Sequence, residues 1–341
     1  MRLLFVTQKL HGQDVFGTLW ARAFVERGYE VTVLCLESRP DLIDATLGIT
    51  PGSSFRIVSM GKEEGLGKVR QILRFWKHIV TLRYDRVFIH MSPVWGLLGA
   101  WWWWPRRIPT YLWYTHYKMQ LGLRLLGWYG KRLFCATPQS LPQYKNNPKK
   151  IVTGHGIDTH FWPKRQNTTN NQYALLGVYR LSRSKRVELC LHALKLLRPI
   201  FTWDVYGIEA EPGYVAEMKE LTESLGLTNR VRFHGTAAAK DLPEIYSNHR
   251  LILNMALETI DKTMLEAMTC GCYPVTTGRN CIAIGIPFGP LDDSPKSIAS
   301  FVEQASEHAP LSADQMFDVV SGNHNLASLV KKMDVYIHAG I

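Results

Sequence analysis

The sequence predicts an α/β protein built from two doubly wound, Rossmann-like domains, each a parallel sheet flanked by helices. Three observations carry this expectation. Short apolar runs alternate with helical patterns along the chain, as strand–helix–strand units require. At 341 residues the chain is long for one hydrophobic core and suits two. A polar stretch at 164–171 interrupts the alternation and reads as a linker. The expected organisation is an N-terminal domain at 1–163, a C-terminal domain at 164–325, and a last helix at 326–341 returning to the first domain.

The elements follow in order. In the first half, strand-like runs fall at 3–7, 30–36, 56–59, 86–91, 110–114, 133–136 and 151–153, with a helical pattern at 18–27 after the first. Residues 66–84 interleave Lys68, Arg70, Arg74, Lys77 and Arg83 with Val69, Ile72, Leu73, Trp76, Ile79 and Val80, the pattern of a basic amphipathic helix. The second half repeats the theme. Its strands are expected at 173–179, 202–206, 231–234, 251–254 and 273–276, with helices at 187–197, 213–225, 242–247 and 262–270.

The segment 258–271 holds the chain's most informative spacing, two glutamates with seven residues between them. Asp261 is a good N-cap, 262–270 carries helix formers, and Gly271 supplies a C-terminal stop. A helix rises only ~1.5 Å per residue, so Glu258 in the entry loop and Glu266 in the first turns can face one pocket. Asp261, Lys262 and Thr263 then stand at the helix start, where backbone N–H groups favour a phosphate, and are candidate donor-binding residues. An ordinary surface helix with an acidic entry is the competing reading of the spacing alone. Arg180 and Lys185 sit at the turn between a strand and a helix, where doubly wound folds bind ligands and where cations can hold a diphosphate. A solvated basic loop is the alternative there, for Arg183 and Arg186 in particular. Gly17, in the first strand-to-helix connection, is a donor-binding candidate that permits close backbone approach to phosphate or sugar; making a turn is its other reading.

Together these segments resemble one family, the retaining group 1 (family 4) glycosyltransferases of the GT-B fold. The resemblance covers nearly the whole chain: the strand at 1–9, then 111–116, 154–158, 180–185, and 258–276, in the expected order. It implies two domains facing across a cleft, with the nucleotide-sugar donor on the second and the acceptor on the first. It implies that Glu258 contacts the donor sugar, Glu266 the ribose, and Arg180 and Lys185 the diphosphate, with His116 near the reacting sugar; His116 and Glu258 are the candidate catalytic residues. An ordinary buried histidine is the alternative for His116. The chain departs from the family at Thr259, Ile260 and Asp261, where glycines are usual, and at His155, where an Asn is usual. These departures bear on the identity of the sugar.

Charge separates the two halves. Residues 1–150 hold 22 Lys and Arg against 9 Asp and Glu, whereas the remainder holds 18 against 20. Between Asp85 and Asp158 there is no carboxylate. Such a surface seeks an anionic partner. Arg70, Arg74, Lys77, Trp102, Arg106, Arg107 and Lys118 are the candidate acceptor-side and membrane-side residues, because the run of four tryptophans at 101–104 is followed by Pro105 and two arginines. That apolar run is too short to span a bilayer, which needs roughly 20 residues; core packing is its other reading. Nucleic acid is disfavoured, since no binding signature accompanies the charge.

Six cysteines lack paired zinc spacing and read as reduced core thiols. The N-terminus has no signal-peptide pattern, so a cytoplasmic enzyme, peripheral on the inner face of the membrane, is expected. A nucleotide-sugar carries its own leaving group, so no metal and no cofactor are expected, and neither an Asp-x-Asp pair nor zinc-type histidine spacing occurs. The expected partners are a nucleotide-sugar donor and a glycan or lipid-linked acceptor. Two further classes stay open: a sugar-nucleotide epimerase or phosphorylase on the same scaffold, and a non-catalytic membrane-surface binding protein.

Overall fold

A computed structural model describes residues 1–10, 16–38, 54–116, 119–164, 171–257 and 260–341. It divides into two compact units, Met1–Asp158 with His324–Ile341, and Thr159–Asn323. Most of the stretch read as a linker lies outside the described residues.

The first unit contains β1 (Arg2–Leu10), α1 (Phe16–Glu26), β2 (Glu30–Ser38), β3 (Phe55–Ser59), α2 (Lys68–Thr81), β4 (Arg86–His90), α3 (Pro93–Trp103), β5 (Thr110–Trp113), α4 (Leu121–Tyr129), β6 (Arg132–Cys135) and β7 (Lys150–Val152). All strands run parallel in the order β3-β2-β1-β4-β5-β6-β7. Because successive side chains point to opposite faces, β1 serves two cores. Leu4 and Val6 face Phe75, Trp95, Trp103 and Leu126, which come from α2, α3 and α4. Phe5 faces the other way, against Phe24 and Phe88, and beyond them Trp20 packs on Trp113 with ring centroids 4.7 Å apart.

Helix α3 is apolar all round, so the sequence gives no period from which to read it as a helix. Its packing on α4 is close. A Cβ placed on Gly122 would lie 2.2 Å from the carbonyl oxygen of Pro93, a backbone atom that cannot swing aside. Gly122→Ala is therefore expected to force the two helices apart, costing about 1–3 kcal/mol and lowering Tm by roughly 5 °C. An unchanged melting curve would show that the helices are not in this contact.

The second unit contains β8 (Ala174–Val178), α5 (Val187–Leu196), β9 (Thr202–Tyr206), α6 (Tyr214–Ser224), β10 (Val231–Gly235), α7 (Leu242–Ser247), β11 (Leu251–Asn254), α8 (Lys262–Thr269), β12 (Tyr273–Thr276), α9 (Gly278–Ile284), α10 (Pro295–Glu307) and α11 (Ala313–Asn323). Its five strands are parallel in the order β10-β9-β8-β11-β12. Both sheets thus reverse direction of winding beside their first strand, the doubly wound arrangement.

The last helix, α12 (Leu326–Ala339), belongs to the first unit. Asn325 caps it by accepting from the Ser328 N–H at 3.0 Å. Asp334 on this helix takes hydrogen bonds from the Tyr29 hydroxyl and, at 2.9 Å, from Arg27, while the Tyr111 hydroxyl donates to the Tyr336 carbonyl at 3.0 Å. All six cysteines are buried and unbridged.

Candidate active site

In the five-stranded sheet the winding reverses between β8 and β11, and the connections leaving the carboxyl ends of these two strands meet there. The connection after β8 carries Arg180 and Lys185; the one after β11 leads through Asp261 into α8. Their meeting point is an ion pair. The Lys185 Nζ donates to Asp261 Oδ1 at 2.5 Å, and the two side chains are only 8% and 17% exposed. Asn254, the last residue of β11 and fully buried, donates from Nδ2 to the other Asp261 oxygen at 2.9 Å.

Asp261 occupies the N-cap position expected of it, in extended backbone, but its side chain does not cap α8. The carboxylate turns to Lys185 and Asn254 instead, because a buried ammonium competes for it more strongly than a backbone N–H does. The start of α8 is left without the side-chain acceptor that ordinarily satisfies its first N–H groups. Thr263, in this same first turn, has a buried Oγ1 with no hydrogen-bond partner. Lys262, in the same turn, has its Nζ 4.0 Å from Glu266 Oε1.

Glu266 is itself buried, one turn further along. The Tyr246 hydroxyl donates to its Oε2 at 3.3 Å, and burial, with Glu266 the next cause, pushes that phenol well above its ordinary pKa and keeps it a donor. Of the basic residues after β8, the structure separates two kinds. Arg183 is paired with both oxygens of Glu217, at 2.7 and 2.8 Å, and Arg186 with Asp293 at 2.6 Å. Arg180 is exposed and makes no hydrogen bond or ion pair among the described residues.

Glu258 lies outside the described residues, as do Thr259 and Lys118. Gly17 is not in the connection after β1 but in the first turn of α1, where a Cβ would stand 3.3 Å from the Lys9 carbonyl oxygen; it lets the helix start close on the strand end. His116 follows β5, half-buried, its ring edge-on to Tyr114 at 5.3 Å. Asn254 and Tyr246 were not singled out in the sequence; the one available signal is an Asn ending the apolar run of β11.

On the acceptor-side candidates the structure is mixed. Arg70 and Lys77 are exposed on α2, whereas Arg74 is paired with Glu64 at 2.7 Å. Trp102 is half-covered by the Arg106 guanidinium, 3.3 Å above its ring; Arg107 is exposed.

Sequence comparison decides the family. The description "Glycosyltransferase Family 4" matches residues 11–141, and "Glycosyl transferases group 1" matches residues 158–283. The chain belongs to the group 1 glycosyltransferases. The second match contains β8, α8 and every residue of the Lys185–Asp261–Glu266 cluster. Mannosylfructose-phosphate synthase of Agrobacterium fabrum is 35% identical over 82 residues, a match spanning 24% of this chain and 18% of that protein's length. In fold, the chain is similar to glycosyltransferase-class structures of low identity. HepE of Anabaena, solved with UDP and glucose, is 16% identical with a TM-score of 0.79 over 99% of this chain and 100% of that one. Sucrose-phosphate synthase of Thermosynechococcus elongatus is 14% identical with a TM-score of 0.78, over 99% of each. The two Rossmann-like units are those of the GT-B class.

Proposed function

We propose that the protein transfers a sugar from a nucleoside diphosphate donor to a hydroxyl acceptor, with retention of configuration. The observation that carries this reading is the convergence of a buried lysine and an uncapped helix start at the point where the second sheet reverses its winding. A departing nucleoside diphosphate builds negative charge, and fixed cations and N–H dipoles aimed at that charge lower the barrier without reorganising. Lys185 and the first turn of α8 hold the diphosphate, Arg180 supplies a second cation from the surface, and Thr263 offers a hydroxyl to it. Glu266 accepts from the ribose, and Glu258 from the donor sugar. His116 is assigned to the reacting sugar on the resemblance. Neither metal nor cofactor is assigned a role. UDP is the first nucleotide to test, because HepE binds UDP and UDP-glucose.

The acceptor in this reading is a lipid-linked or cell-envelope glycan presented at a membrane surface. Its support is the charge of the first unit, whose residues 1–150 carry an excess of thirteen basic groups, 22 against 9. Thermal shift with UDP, GDP and ADP identifies the donor class. A nucleotide at about 100 times its Kd should add roughly 2.7 kcal/mol and raise Tm by several degrees. Product analysis with a donor panel then tests the reaction. Free nucleotide with a glycosylated acceptor of unchanged anomeric configuration is expected; a sugar isomer would mean epimerisation, and an inverted product would sink retention.

A further inference from the structure

Among the described residues, the first unit displays an apolar surface that no element of that unit covers. On α2, Val69, Leu73, Trp76 and Val80 follow one another at helical spacing and form a single stripe. Val69 is 71% exposed, Leu73 55% and Val80 42%. Trp76 pins the stripe to α3, its Nε1 donating to the Leu98 carbonyl at 2.9 Å and its ring meeting Trp101 edge-on. From there the surface runs along α3 and across to α4, because Trp104 and Trp128 pack edge to face at 4.3 Å. Trp101, Trp104 and Trp128 remain 50%, 48% and 61% exposed.

Large indoles left half in water are costly unless something covers them. Cations surround them. Arg70 and Lys77 flank the α2 stripe, Arg106 lies over the Trp102 ring, and Arg107 and Arg124 are exposed nearby in sequence. Beside the stripe a shallow hollow of about 510 Å³ is lined by Val58, Ser59, Leu73, Arg74, Lys77 and His78. Burial first, and then the neighbouring Arg74, Lys77 and Arg56 charges, hold the His78 pKa below its ordinary value. No carboxylate occurs between Asp85 and Asp158, which spans all of α3 and α4. A second copy of the chain would bring two such cationic faces together.

We propose that α2, α3 and α4 form an interfacial docking face for an anionic lipid bilayer. The tryptophans seat at headgroup level, the α2 stripe enters the acyl boundary, and Arg70, Lys77 and Arg106 meet lipid phosphates. The contact is peripheral, since among the described residues no helix is long and apolar enough to cross a membrane. It rests on the proposed acceptor class only for its purpose: the face would hold the protein where a lipid-linked acceptor is.

Co-sedimentation of the full chain with vesicles of phosphatidylcholine alone, or mixed with phosphatidylglycerol, tests this. Binding about tenfold stronger to the anionic vesicles is expected, falling with added salt. Trp101→Ser with Trp104→Ser and Trp128→Ser should abolish sedimentation with either vesicle. Arg70→Gln with Lys77→Gln should remove the preference for anionic lipid. Each variant's thermal shift with UDP reports its folding and its donor site. Equal sedimentation with both vesicles, or variants that sediment like the parent, would overturn the docking face while leaving sugar transfer standing. A dimer dispersed by the tryptophan substitutions, with no vesicle binding, would assign the face to a second copy and overturn it equally. Vesicle binding without any nucleotide shift would instead overturn the donor reading alone.

Discussion

Lys185→Ala is expected to lower kcat for sugar transfer by about 10²–10³, the usual loss when one preorganised donor to a developing anion is removed. A fall in activity would by itself be ambiguous, because Lys185 also neutralises Asp261 at 2.5 Å in a site where both side chains are largely buried. Removing one partner of such a pair leaves an uncompensated carboxylate and costs about 3–5 kcal/mol when fully buried, less here because Asp261 keeps Asn254 and some solvent. The double variant Lys185→Met with Asp261→Asn removes both charges. It should regain most of the lost Tm and none of the lost turnover. If turnover returns with stability, Lys185 is a structural residue and the diphosphate assignment fails. Asp261→Asn alone separates the two roles from the other side. A carboxylate beside the ammonium repels an incoming diphosphate, so its neutralisation should tighten UDP binding by about tenfold, about a third of the roughly 4 kcal/mol between unit charges at 4 Å near a protein surface. Calorimetric titration of UDP measures it, and weakened binding would show that Asp261 holds the donor rather than competing with it.

The strands of both sheets were legible because a parallel strand buried on two faces is a short apolar run between polar turns, as 86–91 and 251–254 show. Helix α3 was not. With Val94 to Trp103 apolar on every side, no periodicity distinguishes the face packed on the sheet from the face turned outward. For the same reason Trp102 was named as the surface tryptophan, whereas Trp103 is fully buried and Trp101 and Trp104 are the more exposed. In the candidate site the chain order of Arg180, Lys185 and the two glutamates was readable, and so was the N-cap position of Asp261. What the Asp261 side chain does was not, because its choice between capping α8 and pairing with Lys185 depends on the approach of two connections 76 residues apart. Asn254 and Tyr246 were silent for a related cause: each is an ordinary residue type whose place in the site comes only from the group it meets, Asp261 for Asn254 and Glu266 for Tyr246.

Glu266→Gln is expected to weaken binding of a nucleoside diphosphate by roughly 10- to 100-fold, since a hydrogen bond to a charged acceptor contributes about 1.5–3 kcal/mol. Glutamine is the informative substitution. Alanine would strand the buried Tyr246 hydroxyl, which donates to Glu266 Oε2 at 3.3 Å, at a cost of about 1–3 kcal/mol in stability. The amide oxygen of glutamine keeps that acceptor and the side chain's volume, so Tm should move little and any loss of affinity belongs to the ligand. The ribose assignment makes a sharper claim than weakened binding. A carboxylate that accepts from ribose hydroxyls must discriminate against a nucleotide lacking them, whereas one that only steadies α8 must not. The parent protein should therefore bind UDP about tenfold or more tightly than its 2′,3′-dideoxy analogue, and Glu266→Gln should narrow that ratio severalfold by weakening UDP alone. Should the variant lose affinity for both nucleotides in equal proportion, Glu266 acts through the helix, and the ribose contact belongs to another residue.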